Sequence, residues 1–509
     1  MRQYEMFELQ FKGAQPEGSW VTVPVEGEFF WTNAEDGPKK SKKVKGFYAG
    51  NNGYKVRFLP EEPGEYTWKV TGCVTGEGKE SCAAAQGKGK GIVRAKDIHF
   101  EYSDGTVFHP FGTTIYALAN QDEERISQTL ASLKKAPFNK VRHCVFPKFY
   151  DYNRDDPESY PFEKDADGNW DINRPCFSFW EKLEGVIFRL TDMGIQSDLI
   201  LFHSYDKWGF SMMNMEQNLL YLEYLLRRLS AIPQMWWSMA NEFDLMYARS
   251  MEDWYEMEEF IAANDPYHHL LSNHNCFSFY DFTRPNITHC CVQTVQMEHA
   301  AQWLEQYKKP LIYDECCYEG NLPLSWGNLS GFEMANRFWQ AVVPGAYASH
   351  GEVYLSEDDV LWWAKGGELK GSSPARIGFL RSILEELPGT LSPWHPQMWE
   401  APDMGFMSHA PMDLFKGLHD AMPAEQKEAM LIKDGLCCGR IGDQVFMEYF
   451  GHRCCGMVRW ILPENHTYRI EEIDIWEMTR KTTYKGVNGK IAVNLPGKEG
   501  IALLAVAEQ

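Results

Sequence analysis

Gln234 to Asp244 reads QMWWSMANEFD, and its two halves have different characters. Met235, Trp236, Trp237 and Met239 make a bulky apolar run, the pattern of a strand buried on both faces. The run ends in Ala240-Asn241-Glu242. Packing alone explains a polar pair at that point poorly, although Asn241 could cap a following helix with Glu242 in its first turn. In a barrel of parallel strands the carboxyl ends of the strands carry the chemistry. Pro310 to Glu319, PLIYDECCYE, repeats the design, with Leu311-Ile312-Tyr313 running into Asp314-Glu315. Two buried strands that each end in a carboxylate are the arrangement a two-carboxylate hydrolase needs.

On either side of these stretches, residues 98–388 alternate strands with amphipathic helices. Candidate strands are Phe111–Ala117, Asn139–Phe146, Gln196–Phe202, the opening stretch, His269–Ser272, Ile287–Val292, Lys309–Asp314 and Ala346–Ser349. Helices between them place Ile126, Leu130 and Leu133, or Leu219, Leu222, Leu226 and Leu229, on single faces. Eight such pairs in about 290 residues predict a (β/α)8 TIM barrel. Residues 1–97 read as an N-terminal β-sandwich, with strand-like runs at Trp20–Val25, Glu28–Trp31, Tyr54–Phe58 and Glu65–Val70. Residues 389–509 read as a Pro- and Met-rich connector and a C-terminal β-sandwich, with Asn488-Gly489 as a hairpin signal. The fold class expected is therefore α/β, a barrel between two β-sandwich domains.

Composition narrows the function. The chain has 509 residues, too many for one core. Its net charge of −21 argues against nucleic acid or an anionic membrane as partner. The 18 tryptophans suit sugar-binding clefts as well as core packing. Met1 to Phe11 alternates apolar and polar residues without the apolar core of a signal peptide, and no apolar run is long enough to span a membrane. The 13 cysteines are odd in number and include four adjacent pairs, so reduced thiols in a cytoplasm are expected. No CxxC pair suggests a zinc site.

With WSMANE at 237–242 after strand four and LIYDE at 311–315 after strand seven, the chain resembles the clan A retaining glycoside hydrolases. The likeness extends to a bacterial group with an N-terminal sandwich, a cellulase-like barrel and a C-terminal β-domain, built partly of domains of unknown function. FHPFGTT, NKVRHCVFPKFY, SYDKWGF, WWSMANEFD, HHLLSNHN, YDECCYEGN and LWWAKGGELKGSSPARIGFL carry it. The resemblance implies Glu242 as acid/base and Glu315 as nucleophile, with carboxyl groups roughly 5 Å apart. Glu315 is preferred to Asp314, which should point the opposite way along the pleat. Arg142 should hold Glu315 ionised, and Glu242 should keep its proton through partial burial and the charge of Glu315.

Further binding candidates are the polar residues at other strand ends: Asn241 for a sugar hydroxyl, Arg142 and His143, His203 and Tyr205, His274 and Asn275, Gln293, and His350 and Glu352. Trp208 and Trp363 are candidate stacking platforms. The clan often has a Tyr where Gln293 stands, which leaves the nucleophile's partner open. No cofactor and no metal is expected. The partner expected is a short oligosaccharide or glycoside, cleaved in exo fashion in a pocket blocked at one end, and a homo-oligomer is left open. Two rival readings are a metal-dependent barrel hydrolase using His143, His203, His274 and His350, and a carbohydrate-binding protein without catalysis.

Overall fold

The computed structural model describes residues 1–32, 39–87, 89–396, 417, 420–423 and 437–508. Most of the expected connector after residue 396 lies outside them. The central sheet consists of eight parallel strands: Phe111–Thr114, Lys140–Cys144, Gln196–His203, Met235–Asn241, Leu270–Ser272, Cys290–Gln293, Leu311–Glu315 and Tyr347–His350. Numbered one to eight along the chain, they lie side by side as five, four, three, two, one, eight, seven, six. The remaining seam, between five and six, is bridged where Ser272 Oγ donates to the His289 carbonyl at 2.7 Å and Thr288 N to the Leu271 carbonyl at 2.9 Å. The barrel is thus nearly closed, and each expected strand is present within a few residues of its expected ends.

The barrel interior is charged as well as apolar. Lys140, fully buried, places Nζ 2.7 Å from Asp198 and 2.6 Å from Asp314. Ser349 Oγ and Cys291 Sγ also donate to Asp314, at 2.6 and 2.8 Å. Against the cost of burial, Lys140 and then Arg142 hold the Asp314 carboxyl well below the usual range. Gly112 makes room for this cluster: a β-carbon there would stand 2.3 Å from Ser349 Oγ and 2.9 Å from Lys140 Cε.

Below the barrel, Val93–Lys96, His99–Tyr102 and Val107–Phe108 form a small antiparallel sheet. Phe100 and Phe108 pack on Trp236 and close that end. The hairpin within this sheet spans residue 97, where the sequence suggested a domain boundary. The N-terminal region pairs a four-stranded sheet with a three-stranded one, and Phe29, Val56, Phe58 and Tyr66 lie between them. The expected run at Trp20–Val25 is not a strand. Strand Val25–Trp31 starts only after Pro24, which has no N–H to give a ladder. In the C-terminal region Asn488-Gly489 does not make a hairpin. Thr479–Val487 pairs within a six-stranded sheet and Gly489–Asn494 pairs with Met457–Leu462 in another, so the chain changes sheets there.

A buried ion cluster joins the N-terminal sandwich to the barrel's helical layer. Arg57 of strand Gly53–Phe58 grips Glu184 with two nitrogens, at 2.7 and 3.1 Å. Glu184 lies on helix Phe177–Met193, and Arg228 of helix Met215–Leu229 also reaches it at 2.7 Å. Against burial, the two guanidiniums pull the Glu184 carboxyl down to about 2. A lowered carboxyl contributes stability that is complete above its unfolded value of about 4.3 and is lost as pH falls toward the folded one. Glu184→Gln is expected to cost about 3–5 kcal/mol near neutral pH, because it leaves buried Arg228 without its anion and Arg57 with Glu8 alone, at 2.9 Å. Thermal melts from pH 7 to pH 3 should show the wild-type advantage shrinking toward the acid end. A variant that melts with the wild type at pH 7 would refute this account.

Candidate active site

Strand four delivers Asn241 and Glu242 to the barrel mouth, and the chain turns sharply there. Glu242 has φ +57°, a left-handed conformation costing on the order of 1–3 kcal/mol in a residue with a β-carbon. Its amide donates to His274 Nδ1 at 3.3 Å and the next amide, Phe243 N, to the His274 carbonyl at 2.8 Å. Because Nδ1 accepts, the imidazole proton sits on Nε2, which lies 3.8 Å from Glu315 Oε1. Burial, and then Arg142, keep His274 far below its ordinary pKa, and the ring is neutral.

The Glu242 carboxylate receives Tyr205 Oη and Asn241 Nδ2 (3.1 Å) on one oxygen and Gln293 Nε2 (3.2 Å) on the other. A bulge between strands six and seven pairs Gln293 with Glu315 and aims the Gln293 side chain across the mouth. Asn275 fixes the Gln293 backbone by two hydrogen bonds, at 3.0 and 3.1 Å.

Glu315 meets a different set of donors. Tyr116 Oη donates to Glu315 Oε1, and Arg142 Nη1 stands 3.3 Å from the same atom. Arg142 Nη1 and Tyr116 Oη also reach Asn241 Oδ1, at 2.8 and 3.0 Å. Asn241 therefore links the two carboxylates, with one amide hydrogen left for a substrate hydroxyl. The tyrosine that meets Glu315 is Tyr116, from beyond strand one, whereas Gln293 meets Glu242. Asp314 and Glu315 do not diverge as a regular pleat would direct. Asp314 enters the deep ion cluster and Glu315, at the strand's end, turns into the mouth above it.

These groups line a cleft of about 910 Å³. Its wall is aromatic: Trp363 packs against Tyr150 (4.9 Å between centroids), Trp326 (5.2 Å) and Tyr318 (5.7 Å). Lys148 brings a buried ammonium over the rings of Tyr116 and Tyr205, 3.3 and 4.2 Å from their centroids. Burial lowers its pKa, with Glu242 and Glu315 acting in the opposite direction. Burial and the neighbouring Glu242 raise the Glu315 carboxyl, while Arg142, Lys148 and Tyr116 oppose them. The net direction is the reverse of the sequence expectation, because full burial beside a second carboxylate outweighs Arg142, Lys148 and Tyr116 together.

Of the residues proposed from sequence, Asn241, Tyr205, Glu242, Gln293, Glu315 and Trp363 line the cleft, with Arg142, His274 and Asn275 supporting them. Four histidine and carboxylate candidates lie elsewhere, as does one tryptophan. His143, next to inward-facing Arg142, points out of the barrel, where burial drops its pKa to about 4. His203 Nε2 is 3.2 Å from the Phe146 carbonyl, behind the mouth. His350 faces outward onto Phe138 and Thr113, and Glu352 accepts the Lys370 and Gly371 amides. Trp208 packs on Tyr160 and Phe149 and donates to Asp156 at 3.0 Å. Tyr116, Lys148 and Tyr318 were missed. Each follows a barrel strand by two to four residues, and searching the loops as well as the strand ends would have found them.

The family described as "Apiosidase-like, catalytic domain" matches residues 95–408. The chain belongs to the Apiosidase-like family. Two domains of unknown function, DUF5060 at residues 1–72 and DUF5605 at residues 435–505, match the regions on either side. The solved structure of a candidate glycoside hydrolase from Bacteroides vulgatus is 31% identical, with a TM-score of 0.84 and coverage of 100% of this chain and 99% of that one. A glycoside hydrolase family 5 structure from the same organism is 14% identical, with a TM-score of 0.60, and covers 83% of this chain and 93% of its own. The second likeness is one of fold. No curated protein matches this chain. This Apiosidase-like protein is a glycosidase, and its substrate is a carbohydrate.

Lys148 and Tyr116 act on Glu315 in different ways, one by its charge and the other by a hydrogen bond. Tyr116→Phe removes a donor from Glu315 and should lower kcat by about 10²–10³. Lys148→Met removes a cation that favours the ionised form of Glu315. The acidic limb of kcat/KM on an aryl glycoside should then move to higher pH by about 1 unit. A limb that stays in place or moves to lower pH would show that Lys148 has no electrostatic hold on Glu315.

Proposed function

We propose that this glycosidase works by double displacement with retention, Glu315 as nucleophile and Glu242 as acid and then base. The observation that carries the reading is the Asn241 side chain. Its amide nitrogen holds Glu242 while its oxygen shares Tyr116 and Arg142 with Glu315, so one short link separates the carboxyl groups. Such a link couples the two carboxyl groups, and the mechanism requires them about 5–5.5 Å apart, the spacing for covalent attack, where 6.5–9.5 Å would leave room for water. Glu242 protonates the departing oxygen as Glu315, in its ionised form, attacks the anomeric carbon. Once the ester forms, the charge on Glu315 is gone and Glu242 accepts the proton of the incoming water.

The cleft volume suits a short saccharide, and its aromatic wall suits a sugar face. Exo cleavage of short oligosaccharides or glycosides follows as our reading. The family description makes apiosides the first class to try. The thirteen cysteines are all free, which supports a reducing, cytoplasmic setting.

Glu315→Ala should abolish turnover even of a dinitrophenyl glycoside, since no covalent intermediate can form. Glu242→Ala should retain the first step with that leaving group, and azide should speed the second to give a glycosyl azide of retained configuration. NMR of the first-formed sugar should show the substrate's anomer. An inverted first product, or near-wild-type turnover by Glu315→Ala, would sink the mechanism. Rapid viscosity loss on a long polymer would count against exo action.

A further inference from the structure

From three segments, residues that do not themselves line the cleft meet behind it. YDECCYEGN supplies Glu319, the end of strand eight supplies His350 and Glu352, and LKGSSPARIGFL supplies the loop at Lys370–Ser373. Glu319–Gly320 and Glu352–Val353 pair as a short parallel ladder with Glu319 opposite Glu352, so the two carboxylates stand side by side. All three side chains are buried, and one ligand atom from each falls within 4.8 Å of the others.

The oxygens converge on a floor without a side chain. A β-carbon on Gly371 would lie 2.5 Å from Oε2 of both Glu319 and Glu352. Backbone amides orient the carboxylates from outside: Ser372 N and Ser373 N on Glu319, at 2.7 and 3.1 Å, and Gly371 N on Glu352 at 2.8 Å. His350 Nδ1 is held by Thr113 Oγ1 at 3.1 Å, whereas Nε2 has no hydrogen-bond partner and stands 3.8 Å from Glu352 Oε2. A ring oriented by a hydroxyl on one nitrogen, with its other nitrogen aimed between two carboxylates, has the form of a metal ligand with its supporting contact. Two adjacent carboxylates are buried, and the Lys370 ammonium, whose own amide caps Glu352, turns away to Asp358 (2.8 Å) and the Val360 carbonyl (2.8 Å).

We propose that Glu319, His350 and Glu352 bind one divalent transition-metal ion, of the Mn²⁺ or Zn²⁺ class, at a structural site behind the catalytic cleft. One imidazole with two carboxylates selects that class over Mg²⁺ and Ca²⁺, which favour all-oxygen donors. Drawing the three atoms to about 2.0–2.2 Å from one ion needs side-chain shifts below about 1 Å. The site joins the segments after strands seven and eight to helix Ser373–Glu386. Tyr318, which lines the cleft, precedes Glu319 directly, so the ion braces one wall of the substrate site.

The full-length protein, dialysed against metal-free buffer, should retain about one ion per chain by elemental mass spectrometry. After treatment with dipicolinate its thermal midpoint should fall, and MnCl₂ or ZnCl₂ should restore it where MgCl₂ and CaCl₂ do not. Glu352→Gln and His350→Gln should each lose the bound ion and the restoration while keeping the wild-type circular dichroism. The metal content of the wild-type protein tests the site even if a variant fails to fold. Wild-type protein with no stoichiometric metal and a midpoint that neither Mn²⁺ nor Zn²⁺ moves overturns the site. Restoration by Mg²⁺ or Ca²⁺ alone overturns the metal class, and equal restoration in His350→Gln overturns the ligand assignment. None of these outcomes depends on the sugar or on retention.

Discussion

Lys140 sits at the centre of the barrel with a carboxylate on either side, Asp198 at 2.7 Å and Asp314 at 2.6 Å, and much of the site rests on that contact. A buried ammonium is tolerable only when paired and hydrogen-bonded. The pairing fixes strands two, three and seven at once, because sliding any of them by one residue would exchange its inward and outward side chains. Arg142 lies two residues beyond Lys140 on the same face of strand two, so it arrives beneath Glu315. The alternation that places it there sends His143 out of the barrel.

Above this layer the site is a balance of burial against donors. Burial penalises the charge on Glu315. Glu242 is met by Tyr205, Asn241 and Gln293, which are neutral donors. Glu315 is met by Tyr116 together with two cations, Arg142 and Lys148. In the proposed mechanism the distinction matters chemically, since a nucleophile has to be ionised and an acid has to hold a proton. Lys148 does its part from within a box of tyrosine rings, with their faces in place of water around the ammonium.

The flanking β regions enter this picture mechanically. The small sheet under the barrel seals its lower end with Phe100 and Phe108. The N-terminal sandwich is bound to the helical layer through Arg57, Glu184 and Arg228, a contact between groups far apart in the chain. None of these side chains lines the cleft, and their effect on it passes through the position of the barrel strands and helices.

The sequence by itself determined the barrel, the order of its strands and the two carboxylates. Each of those is written locally: a buried strand needs a continuous apolar run, and a strand end that carries Asn241-Glu242 or Asp314-Glu315 has few other uses. Tertiary structure decided which polar neighbours join them. Tyr116, Lys148 and Tyr318 come from loops whose paths depend on packing across the barrel mouth, and no period in the sequence records that. His143, His203, Trp208, His350 and Glu352 looked equivalent to the true lining residues because strand ends were counted without their facing. Side-chain direction near a strand's end depends on bulges and on the turn that follows, as at Gln293 and at Glu242 with its φ of +57°. The direction of the Glu315 pKa was likewise beyond the sequence, since it is set by how far two carboxylates distant in the chain are buried together.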